Sequence, residues 1–339
     1  MNSHDSVVEG IGERRRPLGG DARARTALAN AYRLLADLIA GPLDGALLER
    51  ARKSPLLAEA LGDDPELDEV AAEHHRAFEW SVFPHQGVFL DLGGWADGAS
   101  SESLRSLFSR GGYSSRTELP ADHLSNILGA LALAVEGSED EQTLYQLEGA
   151  LLDRHLLRWL PLFVAAVRRL QVAFPTAMVS QLEDLVLYHR ELLELPVDAS
   201  DVAAPEAVNL LEDADTGLAE IAAHLLSPPQ TGMFLSREDI LSVARKSGCF
   251  CGFGDRQTML LNALRTAVQH DRIGELASAL SQLHRNEETS LAKRIDEGLP
   301  EELATPLANR SSETRALLQF IGAAGGSFSS AVSVEPDPS

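Results

Sequence analysis

The chain has 339 residues, of which 44% are hydrophobic and 24% charged, and its net charge at pH 7 is −22. No apolar run is long enough to span a bilayer, and the negative charge argues against a general nucleic-acid binder or a protein that docks on anionic membranes. The charge instead favours a cationic partner or high solubility.

Apolar residues recur at helical spacing along most of the chain and strand signals are nearly absent, so the sequence predicts an all-α fold. After an N-terminal segment expected to be disordered, helices are predicted near residues 25–40, 43–52, 55–61 and 66–80. An arginine run precedes the first helix, but charges interrupt the apolar residues that follow it. No export signal is therefore predicted, and a cytoplasmic location is expected.

The middle of the chain begins with an irregular loop over 83–117 that is rich in glycine and serine, with a short helix around 102–109. Three long helices are predicted after it, near 120–136, 140–172 and 176–194. A proline inside the second of these, at position 161, predicts a kink.

The C-terminal third follows a segment over 196–205 that is rich in proline, alanine and aspartate and has the composition of a linker or long loop. Further helices are predicted near 206–226, 236–246, 255–270, 272–284, 287–297 and 312–322. The only two cysteines, Cys249 and Cys251, are one residue apart and offer no disulfide framework, which suits a reducing compartment.

Asp122 and His123 stand at the head of the apolar helix predicted over 120–136. With Pro120 at the first helical position, Asp122 falls near the third, where a carboxylate accepts backbone N–H groups and favours the positive helix end. Capping therefore explains Asp122 without any function, but spacing leaves the role of His123 open.

A metal site is one alternative for the histidines. His75 and Glu79 have the i, i+4 spacing of helical ligands, and His123 and His155 complete a candidate set. No second well-spaced pair appears, and neighbouring positions such as 122 and 123 point about 100° apart on a helix, which is poor geometry for chelating one ion.

Four pieces of sequence, in order, resemble the TorD/DmsD/NarJ family of chaperones for molybdenum enzymes of the DMSO-reductase type. These are AYRLLADLI at 31–39, EHHRAFEWSVFPHQGVFLD at 73–91, ELPADHLSNILGALA at 118–132 and RHLLRWLPLF at 154–163. The Glu-Leu-Pro-x-Asp-His-Leu stretch is the most specific, and the later spacing of His155, Leu156, Trp159 and Phe163 supports it. The loop carries Pro-His-Gln-Gly at 84–87, where many relatives have another motif.

The resemblance implies an all-helical chaperone without enzymatic activity. It implies binding of the twin-arginine signal peptide of a molybdopterin oxidoreductase's catalytic subunit, and holding of that apo-subunit until its cofactor is inserted. The peptide-binding residues expected from the resemblance and from the neighbouring stripe are Asp122, His123, Phe78, Phe83, Pro84, His85, His155 and Trp159.

Composition and periodicity predict a disordered N-terminus over 1–22, a linker over 196–205, an additional C-terminal helical region over 206–325 and a disordered tail over 326–339. The resemblance implies that the helices over 23–195 form a TorD-like domain. No resident cofactor is expected, and transient contact with molybdopterin or a guanine nucleotide stays open, as does the choice between a monomer and a domain-swapped dimer. The alternatives are a helical metal-dependent enzyme and a generic helical adaptor.

Overall fold

The computed structural model describes residues 22–94, 96–137, 141–199, 210 and 216–332. Within them the regular structure is helical, and the predicted all-α fold is confirmed. The helices are α1 (Ala22–Ala40), α2 (Gly45–Ala51), α3 (Pro55–Leu61), α4 (Leu67–His75), α5 (Gln86–Leu90), α6 (Ala99–Arg110), α7 (Leu124–Glu136), α8 (Glu141–His155), α9 (Leu160–Arg169), α10 (Ala173–Leu192), α11 (Leu218–Leu225), α12 (Pro228–Thr231), α13 (Arg237–Lys246), α14 (Arg256–Gln269), α15 (Ile273–Asp296) and α16 (Glu301–Val332), with a π-helical segment at Arg76–Ser81.

Several predicted boundaries move in the structure. The helix predicted over 140–172 is two helices, α8 and α9, and Pro161 lies in the first turn of α9 rather than at a kink. Proline is tolerated there because the first-turn N–H groups have no intrahelical acceptor. The two helices predicted over 272–284 and 287–297 are one continuous helix, α15.

The C-terminal helices also differ in length from their predictions. The helix predicted over 312–322 is part of the longer α16, which accommodates Pro306. Of the helix predicted over 206–226, α11 accounts for the last part, while 206–209 and 211–215 lie outside the described residues. The proposed N-terminal segment, apart from Ala22, and most of the linker also lie outside them, so the domain limits stay predictions.

The first hydrophobic core is built by α1 to α10, with α1 packed along α7. Side chains from the C-terminal third complete it, including Phe234, Leu291 and Leu303. The second core lies among α11, α13, α14 and α15 and contains both cysteine side chains, which are free thiols. The C-terminal region is thus a second packed unit that also closes the first core.

Buried ion pairs join the two units. Arg169 at the end of α9 lies 3.1 Å from Asp239 of α13 and 2.8 Å from Glu287 of α15, and it donates to the carbonyl of Phe234 at 2.6 Å. Buried charges of this kind are tolerated only when they are paired and hydrogen-bonded. The network therefore holds the C-terminal helices in one orientation against α9.

Candidate functional site

The candidate site begins where α4 changes into the π-helical segment. Val82 donates its N–H to the carbonyl of Ala77 at 2.8 Å, the five-residue spacing of a π-turn. Phe78 is only 3% exposed and stacks on Phe163 with ring centroids 5.9 Å apart, whereas Trp80 is 58% exposed. The segment thus sends one aromatic ring into the core and presents another at the surface.

The segment before α5 pairs with the start of α7 in an isolated antiparallel bridge between His85 and His123. The N–H of Gln86 donates to the carbonyl of Asp122 at 3.0 Å, and the N–H of Leu124 donates to the carbonyl of Pro84 at 2.8 Å. Two motifs that the sequence separates by more than thirty residues are therefore adjacent.

Asp122 is fully buried, and its carboxylate is already occupied. Its oxygens accept the N–H of Gly87 at 3.0 Å and of Asp97 at 3.1 Å, and one lies 3.5 Å from Nδ1 of His85. Burial raises the pKa of Asp122, but these hydrogen bonds and His85 lower it further, so the net pKa is below its ordinary value. An ionised carboxylate thus ties together α5, the loop at residue 97 and α7.

The prediction that Asp122 caps the helix predicted over 120–136 is therefore wrong. α7 begins at Leu124, so Asp122 precedes the helix and instead accepts an N–H at the first turn of α5. The residue that caps α7 is His123, whose Nδ1 accepts the N–H of Ser125 at 3.2 Å. Sequence spacing misassigned the cap because it placed Pro120 at the first helical position.

His123 is 5% exposed, and its ring meets the ring of His85 edge-on at 4.8 Å. Burial, and then the proximity of His85, lower the pKa of His123 to about 3. Since Nδ1 is an acceptor, the proton of the neutral ring is on Nε2. His123 is therefore a neutral cap at physiological pH.

His155 extends the polar cluster from the end of α8. Its Nδ1 lies 3.1 Å from Oε1 of Gln86 and its Nε2 lies 3.3 Å from the hydroxyl of Ser103. Burial, followed by the nearby Arg158 and Arg154, lowers the pKa of His155 to about 4. Gln86 and Ser103 were not predicted as site residues, because a lone glutamine or serine carries no specific sequence signal.

Behind this cluster lies a group of stacked aromatic rings. Phe89 of α5 lies 5.2 Å from Trp159, 6.0 Å from Phe163 and 5.0 Å from Phe234, measured between centroids. The guanidinium of Arg256 lies 4.3 Å from the centre of the Phe234 ring, a cation–π contact. The C-terminal unit thus reaches the back of the site through one ring.

The eight predicted site residues divide by exposure. Phe78 and Trp159 belong to the aromatic interior, and Pro84, Asp122, His123 and His155 are also buried. Phe83 is half-buried, and the His85 side chain is 16% exposed. The structure brings Pro84, His85, Asp122 and His123 together, but only Phe83 and His85 reach the surface, where the unpredicted Trp80 is the most exposed nearby ring.

The alternative metal set is not assembled. His75 and Glu79 form an exposed pair 2.8 Å apart, while His123 and His155 are buried with the partners described above. Among the described residues no group of three or more histidine, cysteine, aspartate or glutamate side chains is arranged to hold a metal ion. In the same residues no helix has the length and hydrophobicity needed to cross a membrane.

Residues 26–165, less than half of the chain, match the model of the family described as nitrate reductase delta subunit. The match runs from α1 into α9 and includes all eight predicted site residues, while the C-terminal unit lies outside it. The comparison with curated proteins gave no match.

Proposed function

We propose that this protein is a cytoplasmic chaperone that binds the twin-arginine signal peptide and the apo form of a DMSO-reductase-type catalytic subunit, and that it assists cofactor insertion before export or assembly. The match of residues 26–165 to the model of a maturation-chaperone family supports the general role. The peptide, the client enzyme and the place of contact are the proposal.

The observation that carries the proposal is the fixation of the α4–α5 loop by one buried carboxylate. The Asp122 carboxylate accepts the N–H of Gly87 in α5 and that of Asp97 beyond it, and the Asp122 carbonyl accepts the N–H of Gln86. The loop that carries Phe83 and His85 is therefore anchored at its C-terminal end before any partner arrives. A preorganised loop loses less conformational entropy on binding than a flexible one. An aromatic ring and an imidazole held at fixed positions form a surface suited to an apolar peptide segment.

Asp122 acts in this proposal as a positioning residue. Its carboxylate accepts two backbone N–H groups and faces His85, so no free lone pair points to solvent. The arginines of the peptide are attracted instead by the net charge of −22, which raises the association rate at low salt. In this proposal the buried Asp122–His123 pair positions the loop, and the side chains of Phe83 and His85 contact the peptide.

The test titrates the full chain with the labelled signal peptide of a molybdoenzyme encoded beside it and compares Phe83→Ala/His85→Ala with the wild type. We expect the double variant to bind about ten-fold more weakly, because it removes the exposed contacts and leaves Asp122 bonded to the backbone. The control is Leu67→Ala/Leu241→Ala, which removes two exposed apolar side chains elsewhere, on α4 and α13. Equal affinity of the double variant and the control would refute recognition at this loop.

A further inference from the structure

The α13–α14 turn, residues 247–255, holds its largest apolar side chains in solvent. Phe250 is 71% exposed and Phe253 is 99% exposed, whereas Cys249 and Cys251 on either side of Phe250 are buried in the second core. A ring that is almost completely exposed contacts few protein atoms, so the ring of Phe253 projects from the surface. Burial of a phenyl ring stabilises a fold more than burial of a small thiol does, and folding alone therefore does not explain this arrangement.

Hydrogen bonds from neighbouring side chains fix the backbone of the turn. Four of its carbonyl groups accept such bonds, from side chains of α13, of α14 and of the residue that precedes α15. The donor and acceptor residues are Thr266 and Phe250 at 3.0 Å, Asn262 and Cys251 at 3.3 Å, Arg272 and Ser247 at 3.2 Å, and Arg237 and Gly254. The two phenyl rings are thus presented from an ordered backbone, which reduces the entropy lost when a partner buries them.

The charges around the turn are mainly positive. Residues 237–272 contain six arginines and lysines and four aspartates and glutamates. Two of the acidic residues are paired with arginines from outside this segment: Glu238 lies 3.8 Å from Arg76, and Asp239 lies 3.1 Å from Arg169. Two acidic side chains of the segment are left to balance its six cations.

Arg245 and Lys246 are the cations next to the turn in the chain. They form the last turn of α13, and both are exposed. Neither forms an ion pair within the part of the chain that the structure describes. Burial raises the pKa of the Cys251 thiol, and Arg245 is close enough to lower it in part, so this cation lies beside the turn.

The net charge of −22 does not decide what the turn meets. At physiological ionic strength the Debye length is about 8 Å, so a surface that approaches the turn this closely interacts chiefly with the charges around it. Arginine and lysine side chains are attracted to the head groups of an anionic bilayer, and phenyl rings that enter the bilayer are removed from water.

We propose that the α13–α14 turn docks the protein reversibly on the surface of an anionic bilayer, with the rings of Phe250 and Phe253 inserted between head groups and the neighbouring cations at their phosphates. A projecting ring enters a fluid surface directly, whereas a protein partner needs a preformed cavity for both rings. Charge complementarity favours the anionic lipid surface. The inference goes beyond the proposed function and does not depend on it, since the turn lies outside residues 26–165.

The experiment sediments the full chain with vesicles of phosphatidylethanolamine and phosphatidylglycerol, or with vesicles of phosphatidylcholine alone, and measures the bound fraction. The variant is Phe250→Ser/Phe253→Ser, and its matched control is Tyr188→Ser/Phe320→Ser, which removes two exposed aromatic rings on α10 and α16. We expect the variant to bind the anionic vesicles about ten-fold more weakly than the wild type, because it loses the apolar surface that the bilayer buries. The control should bind as the wild type does.

A second pair of variants tests the cations. Arg245→Gln/Lys246→Gln removes them beside the turn, and Lys53→Gln/Arg110→Gln removes an exposed lysine and an exposed arginine elsewhere, so both variants have the same net charge. We expect the first to bind the anionic vesicles about ten-fold more weakly than the second.

Insertion itself is read from Phe253→Trp. After subtraction of the wild-type signal, its tryptophan emission should move to shorter wavelength when anionic vesicles are added, because the indole ring leaves water. An emission that does not move would contradict insertion of the ring.

Equal binding of the wild type and Phe250→Ser/Phe253→Ser to anionic vesicles would overturn the inference. Equal binding of the wild type to both kinds of vesicle would overturn the role of the cations and with it the choice of an anionic surface. Failure to bind either kind would also overturn the inference and would favour a cavity in a protein partner as the place of the two rings.

Discussion

Replacing Asp122 by asparagine tests whether one ionised carboxylate holds the α4–α5 loop. Asparagine has nearly the same shape but one acceptor oxygen, so its NH₂ group faces either the N–H of Gly87 or that of Asp97. One backbone donor, either the buried one of Gly87 or the part-buried one of Asp97, is then unsatisfied at a cost of about 1–3 kcal/mol. The other hydrogen bond loses its charge assistance, about 1 kcal/mol more.

The sum is about 3 kcal/mol, which corresponds to a fall of roughly 6–12 °C in the melting temperature of a domain of this size. The assay is thermal unfolding followed by circular dichroism at pH 7, with Asp64→Asn as the control because Asp64 is exposed. The control should melt within about 1 °C of the wild type. An Asp122→Asn protein that melts as the control does would refute the role assigned to the carboxylate.

The pH dependence gives an independent check on Asp122. Its pKa in the folded state is lower than its ordinary value, so its contribution is present above about pH 4 and is lost as the pH falls through the folded-state pKa. The difference in stability between wild type and Asp122→Asn should therefore stay constant from pH 8 to 5 and shrink only at more acidic pH. A difference that already shrinks between pH 7 and 5 would show that the carboxylate is not ionised as described.

Three further predictions concern other parts of the fold. His123→Asn keeps an N-cap acceptor but does not titrate. The pKa of His123 is lowered to about 3 in the folded protein, so the unfolded chain binds a proton between pH 6 and 4 and the folded protein does not. Over that range the unfolding free energy of the wild type, measured with urea, should fall by about 1 kcal/mol per pH unit more than that of the variant. Arg169→Met leaves Asp239 and Glu287 buried without the arginine that pairs with both, and it should lower the unfolding free energy by about 3–5 kcal/mol. The C-terminal unit should then be cleaved faster by a protease. An unchanged rate of proteolysis would contradict the role of the ion-pair network. Gly232→Ala places a methyl group 2.1 Å from a backbone carbonyl of α16 at a positive φ, so it should lower the unfolding free energy by about 2 kcal/mol or more, and an unchanged melting curve would contradict that close approach.

Much of the fold was predictable because helical periodicity is a local property. The apolar spacing of residues 25–40 predicts α1. The helix predicted over 236–246 is α13, and its start carries a capping box of Ser236 and Asp239. The predicted helix boundaries that differ from the structure lie at a proline or a polar stretch, where the local sequence is compatible with either one continuous helix or two. Pro161 permits either a kink or a new helix, and only the packing of α9 against its neighbours selects the second.

By itself, the sequence determined the helical class, the family resemblance and the proximity in sequence of Asp122 to His123. The tertiary structure decided which groups these residues meet: a carboxylate predicted to cap its own helix binds backbone N–H groups more than twenty residues away, and a histidine with no predicted role caps α7. It also placed Phe78 and Trp159 in the interior and Phe250 and Phe253 at the surface. Burial and pairing across long separations depend on how helices pack, and no local pattern of side chains encodes that arrangement.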